Sequence, residues 1–277
     1  MGASKMRVII LILTLGLFFL YPFFVGESIF STMDTKILNS PFFENMFLGI
    51  GGWFEGLIGS KAYRIWIDIL LKATWETLYM SITATFFATF FGLLTAVVLV
   101  LTRKGGLMEN KPLYAFLDLV VNIFRSFPFI ILIIVLFPFV KLIVGTSIGT
   151  DASIVPLTIG TAPFIARLIE NALIEVDDGV IEAAKSYGAS NFQIIFRIML
   201  VEAIPALVNV LTLTLIVVIG FSAMAGTLGG GGLGDVAIRY GFQRFMADIM
   251  AYTVIILIVM VQIFQMIGNN VYKKVKR

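Results

Sequence analysis

The side chains able to do chemistry in this chain are few, and what is missing narrows the field first. Its 277 residues include no cysteine and no histidine. That removes thiolate and imidazole metal sites, cysteine nucleophiles paired with histidine, and any Ser–His–Asp triad. The one glycine-rich stretch, glycines 229–232 followed by Gly234, has the composition of a phosphate cradle. A P-loop, however, reads G-x-x-x-x-G-K-[ST] between a strand and a helix, and no Lys-Ser or Lys-Thr follows here. The run reads instead as a flexible external loop, and the chain carries no ATP site of its own. No catalytic residue, metal ligand or cofactor-binding residue emerges. The sequence points away from an enzyme, and ATP-driven work would fall to a partner chain.

Charges embedded in apolar stretches are the next candidates, because a charge in hydrocarbon is costly and usually functional. Asp118 and Arg125, seven apart, share one face of a helix, and Arg167 and Glu170, three apart, can pair along another. Both sets lie toward the internal ends of their apolar runs. They read as braces of helix packing or as side chains reaching for the headgroups.

The elements that must position all of these are membrane helices. The chain is 59% hydrophobic and 13% charged, with a mean hydropathy of +1.01, against about 25% charged residues in a soluble domain. A folded soluble surface needs more charge than this. A bilayer core of about 30 Å takes roughly 20 apolar residues per helix. Uncharged runs occupy 8–25, 77–102, 203–226 and 249–271. Two more are apolar but interrupted: 119–140 by Arg125, and 152–176 by Pro156, Pro163, Arg167 and Glu170. The expected fold is all-α, a polytopic membrane bundle of about six spans.

The first run has features of a cleaved signal peptide, with Lys5 and Arg7 before it and Gly26-Glu27-Ser28 after it. Its apolar length and the crowd of Tyr21, Pro22, Phe23 and Phe24 at the would-be cleavage region favour an uncleaved helix. Residues 1–76 are then an N-terminal membrane helix and an external interfacial segment. Trp53, Phe54, Trp66 and Trp75 suit a membrane–water boundary there. Residues 77–277 hold the other five spans.

Lysine and arginine set the orientation. With the N-terminus inside, internal segments hold Lys5, Arg7, Arg103, Lys104, Lys111, Lys185 and Arg197, and the basic tail Lys273, Lys274, Lys276 and Arg277. Four of the seven external cations fall in the long 26–76 segment, where the bias counts least. Both termini are therefore expected in the cytoplasm. The net charge of +3 reads as the basic flanking of spans, not as a nucleic-acid surface.

One internal loop breaks the apolar pattern: "IEAAKSYGASNFQIIFRIML", residues 181–200. Glu182, Ala183 and Ala184 favour helix, and Gly188 stops it. Phe192, Ile195, Phe196 and Met199 then recur at helical spacing as one apolar stripe. Two short helices joined at a glycine turn form a protrusion with a flat, alanine-rich face. Periodicity alone leaves it open whether this face lies on lipid headgroups or docks a protein.

The spacing of Glu182-Ala183-Ala184, Gly188, Ile198 and Leu200 resembles the EAA loop of ABC-importer permeases, E-A-A-x-x-x-G, nine residues, then I-x-L-P. Val201 stands where that pattern has proline. The chain is similar to the methionine-uptake branch in "NIFRSFPFIILI" (122–133), "VGTSIG" (144–149), "IVPLTIGTAPFIARLIENALIEV" (154–176) and "GFSAMAGTLGGGGLGDVAIRYGFQRF" (220–245). The likeness runs from Trp75 to the C-terminus. It implies a type I importer permease core of five spans, to which the N-terminal helix is an addition.

It further implies that residues 177–202 form a cytoplasmic coupling loop whose Glu182, Ala183, Ala184, Gly188, Ile198 and Leu200 engage an ABC ATPase. A second copy of the chain and an external substrate-binding lipoprotein would complete the importer, which would move methionine by alternating access. A permease for another small solute would share the loop and differ in its path. For a methionine path, "GFSAMAG" (220–226) offers the Ser222 hydroxyl and the soft Met224 thioether, although its small residues equally suit close helix packing.

Overall fold

The computed structural model describes residues 65–276, so the expected 8–25 span and most of the external segment lie outside the described residues. Every regular element among the described residues is helical. A π-helical turn, Trp66–Leu71, leads into α1 (Lys72–Thr102). Then come α2 (Lys111–Ser126), α3 (Phe129–Val144) and α4 (Thr150–Ile174). A short α5 (Asp178–Ser186) precedes α6 (Ile204–Ala225) and α7 (Ala247–Val275). At about 1.5 Å per residue, α1, α4, α6 and α7 are each long and apolar enough to cross a bilayer.

The run at 119–140 is not one straight helix. It is divided between α2 and α3, which meet at 109°. The cause is local. Pro128 has no N–H to donate and pushes Phe127 into extended backbone (φ −71°, ψ 130°), which ends α2. The Pro128 carbonyl then accepts from the Ile131 and Leu132 amides and starts α3.

Hydrogen bonds between connections fix which helix ends lie together. Gly149 N–H donates to the Gly229 carbonyl at 3.0 Å, and Gly232 N–H donates to Glu76 Oε2 at 2.7 Å. The starts of α1 and α4 and the α6–α7 connection thus share one end, the glycine end. At the opposite end Asn191 Nδ2 donates to the Leu107 carbonyl at 3.3 Å, joining the α1–α2 loop to the segment after α5. This is the hairpin end. α2 begins there, with Asn110 N–H on the Thr102 carbonyl, and α3 ends beside Gly149. The bent pair therefore crosses once, and with the four straight helices it makes five crossings.

α1 and α4 run parallel at the centre. Gly92 lets them touch, since a Cβ there would overlap Ile165 and lie 3.1 Å from the Ala162 carbonyl. α1 also starts earlier than an uncharged run suggests, with its apolar span beginning at Ile69 rather than Thr77. Glu76 sits inside it because its carboxylate has a backbone partner across the glycine end.

Candidate functional site

The hairpin is built by local caps. Asp177 Oδ1 accepts from Gly179 N–H at 2.6 Å and opens α5. α5 closes on Gly188 in the left-handed region (φ 75°). Ala189 N–H reaches the Ala184 carbonyl at 3.1 Å and Gly188 N–H the Lys185 carbonyl at 2.9 Å, the paired bonds of a Schellman cap. Space does not demand glycine here, because an added Cβ would meet nothing within 4 Å. The backbone conformation does. Ser190 then opens the next turn with a capping box: its hydroxyl accepts from Gln193 N–H at 3.3 Å, and Gln193 Oε1 accepts from Ser190 N–H at 2.9 Å. Gln193 leads into a π turn, Ile194–Met199, and a final short turn, Leu200–Glu202.

Of the residues singled out in the loop, Glu182, Ala183 and Gly188 are exposed, Ile198 and Leu200 are half-buried, and Ala184 is buried. Ala184 belongs to the buried cluster that holds Val97 and Val100 of α1 and Ile165, Ile169 and Leu173 of α4, and so ties the hairpin to both helices. The single apolar stripe expected after Gly188 is divided in two. Ile195 and Met199 turn inward with Ile194, while Phe192 (69% exposed) and Phe196 (41%) face out, their rings 4.4 Å apart. The π turn is what rotates the two sets apart. Tyr187, beside the glycine cap, is 92% exposed. Sequence periodicity missed this aromatic group, because inward and outward residues interleave on a segment that is not a regular α-helix. Beneath α5 lies a cleft of about 230 Å³ lined by Arg103, Gly105, Gly106, Asp178, Glu182 and Lys185 among others.

Behind the hairpin, α2 is tied to α4 by charge. Arg167 of α4 pairs with Glu170 at 2.7 Å, as the three-residue spacing predicts. Its other amino group pairs with Asp118 of α2 and lies 3.4 Å from Asn122 Oδ1. Tyr114 OH donates to Glu170 Oε1 at 3.3 Å. Asp118 therefore serves Arg167, not Arg125, and Glu170 is only 1% exposed. The cluster braces two elements, a partnership that spacing along one helix could not disclose.

The glycine run at the other end is packed, not a flexible loop. Gly226, Gly230, Gly232 and Gly234 are buried. A Cβ on Gly234 would overlap the Ala223 backbone, and one on Gly226 would come within 2.5 Å of Asp235 N. Leu233 N–H donates to Thr77 Oγ1 at 2.8 Å beside the Glu76 bond. The small residues of 220–226 thus let the Gly232–Val236 turn lie directly on α6. Ser222 is buried, its hydroxyl donating to the Ile219 carbonyl at 2.7 Å, whereas Met224 is 44% exposed on another side of α6. The two are not brought together. Outside the spans, the Gly105 N–H at 2.9 Å, aided by Lys111, holds the Glu109 carboxyl below the usual range. Among the described residues no cluster of carboxylates could hold a metal ion.

Five helical crossings and a protruding capped hairpin define a multi-pass membrane helix bundle. Comparison with known proteins makes this specific. Residues 88–277 match the family described as binding-protein-dependent transport system inner membrane component. A probable D-methionine transport system permease protein, MetI, of Vibrio cholerae is 55% identical over 208 residues, covering 75% of this chain and 92% of that one. Its counterpart in Pasteurella multocida is 47% identical over 211 residues, covering 76% and 97%. The inward-facing structure of the MetNI methionine ABC transporter superposes with a TM-score of 0.75 at 45% identity, covering 76% of this chain and 98% of that one. The chain belongs to the family of binding-protein-dependent transport system inner membrane components. It is a permease subunit of an ABC importer in the inner membrane.

Proposed function

We propose that this permease imports methionine, in the L form, the D form or both. It works as two copies of the chain over two cytoplasmic ATPase subunits, with an external substrate-binding lipoprotein delivering the solute. The observation that carries this reading is the capped hairpin, held rigidly on α1 and α4 and presenting an aromatic surface outward, in a chain 55% identical to a D-methionine permease. The hairpin end and both termini face the cytoplasm, in keeping with Arg103, Lys104, Lys111, Lys185 and Arg197 at that end and the basic residues 273–277.

The mechanism is alternating access. Closure of the ATPase dimer moves the hairpins, and α1 and α4 carry that motion because Ala184, Ile194 and Ile195 are packed into them. Glu182, Ala183 and Gly188, joined by Tyr187 and Phe192, form the ATPase contact. Ala184 holds the hairpin in place, while Ile198 and Leu200 pack against the same core. Along the path, exposed Met224 offers a thioether-friendly surface, and Ser222 shapes α6 from within.

Radiolabelled methionine uptake in a strain lacking its own methionine importer tests the reading. Uptake should require ATP and be competed by unlabelled methionine. Uptake of another amino acid or of a phosphonate, unaffected by methionine, would replace the substrate while keeping the permease.

A further inference from the structure

The last helix carries a feature that neither packing nor the hairpin explains. α7 buries Ile249, Thr253, Met260 and Gly268 against the bundle. On the opposite side Gln262, Gln265 and Asn269 are exposed, and at 3.6 residues per turn they fall within an arc of about 60°. Gln265 Nε2 donates to Asn269 Oδ1 at 3.4 Å, and Gln262 lies about one turn before them on the same side. They do not lie at the membrane edge. If Lys273 marks the headgroups, Asn269 lies about 6 Å, Gln265 about 12 Å and Gln262 about 16 Å along the helix, the last near the middle of a core of about 30 Å. Their neighbours on the rest of the exposed surface, Val259, Ile263 and Ile267, are those of a lipid-facing helix. α6 adds Asn209, also exposed, about one turn from Thr212, the residue that meets Gly268 of α7.

Three primary amides aimed away from the bundle at such depth, with a single hydrogen bond between two of them, would leave most of their donors and acceptors unmet in hydrocarbon. We propose that Gln262, Gln265 and Asn269, with Asn209, form one wall of a water-filled path in the half of the membrane nearest the hairpin. This rests on the permease reading and adds the residues that meet the solute on its way out. The chemistry suits a zwitterion. Each amide offers a donor for a carboxylate and an acceptor for an ammonium. Lacking net charge, the strip would hold neither group tightly, and a path must release what it passes.

Because the chain has no cysteine, water access can be read one position at a time. Gln262→Cys, Gln265→Cys and Asn269→Cys would be compared with Val259→Cys and Ile263→Cys on the same helix. The full chain with its ATPase would be treated in inside-out vesicles with a cationic, membrane-impermeant thiol reagent. The three amide positions should react roughly tenfold or more faster than the apolar two, as a water-lined position does against a lipid-facing one. Trapping the ATPase with ATP and vanadate should slow them.

Equal reaction at all five positions overturns the proposal. So does silence at the amide positions, either with oxidative cross-linking between like cysteines of two copies, which marks a dry seam, or without it, which marks a face covered by lipid or by the N-terminal segment. As an activity readout, the combined variant Gln262→Leu, Gln265→Leu and Asn269→Leu should lose methionine uptake about tenfold or more while still assembling with the ATPase. Unchanged uptake overturns the proposal too. Labelling and uptake separate the two layers: if cells with the unsubstituted chain fail to import methionine, the substrate reading fails, and water access at the strip is then judged by the reagent.

Discussion

The two ends of the bundle solve opposite problems. At the glycine end, backbone lies on backbone: Gly226 and Gly234 bring a short turn onto α6, and Glu76 and Thr77 receive its amides. The close approach at those glycines leaves no room for a side chain. At the hairpin end the same chain uses caps that are satisfied locally, at Asp177, Gly188 and Ser190, and leaves Tyr187 and Phe192 in the open. One end is held by burial, and the other is shaped by short-range hydrogen bonds so that its surface stays free. Substitutions should therefore damage folding at the first end and association at the second.

The largest effect should come from Gly234→Val, whose branched side chain would have to occupy the space of the Ala223 backbone. The variant should fail to accumulate in the membrane, measured by immunoblot and size-exclusion in detergent, since overpacking that backbone cannot relieve exceeds the usual 1–3 kcal/mol or so. Normal accumulation would mean the glycine end is looser than its contacts. Next comes Arg167→Ala. It strands Asp118 and the buried Glu170, and loss of one partner in a buried ion cluster costs about 3–5 kcal/mol. A clear fall in thermal melting temperature should follow, partly restored in Arg167→Ala with Asp118→Asn and Glu170→Gln.

At the hairpin, Tyr187→Ser with Phe192→Ser should leave the melting temperature unchanged and weaken ATPase recovery in pull-downs roughly tenfold or more, as loss of exposed aromatic anchors does. A lowered melting temperature with normal recovery would reverse the contrast between the ends. Gly188→Ala is smaller, about 1–2 kcal/mol for a left-handed alanine. It should appear as faster proteolysis within 177–202, with the bundle intact.

The smallest effect is electrostatic. Folding lowers the Glu109 pKa through the Gly105 N–H. Its contribution is therefore present above the carboxyl's unfolded value of about 4.3 and lost as pH falls through the lower folded value. The difference in melting temperature between the unsubstituted chain and Glu109→Gln should shrink on acidification through that window and stay constant above it.

Much of this was legible beforehand, for identifiable reasons. Apolar runs marked the four straight crossings, because hydrocarbon imposes a length and a composition together. Arg167 and Glu170 pair as their spacing requires, and Gly188 ends its helix as a glycine should. The bend at Phe127-Pro128 was written as a single proline but hidden by an unbroken apolar run on both sides. Glu76 looked like a boundary and proved to be part of a span, because its partner amide lies 156 positions away. Phe192 and Phe196 looked like one stripe with Ile195 and Met199 but face outward on their own, since the π turn after Gln193 changes the angular count that periodicity assumes.

By itself, the sequence determined the solvent this chain lives in, the number and approximate place of the described crossings, and the capped shape of the hairpin. All three depend on composition and on interactions between near neighbours. The tertiary structure alone decided which ends lie together, that Asp118 belongs to Arg167, that the glycine run is packed against α6, and that the amides of α7 face away from the bundle. Those outcomes depend on pairings between distant residues, and in a membrane the groups left unpaired by one helix must find their partners on another.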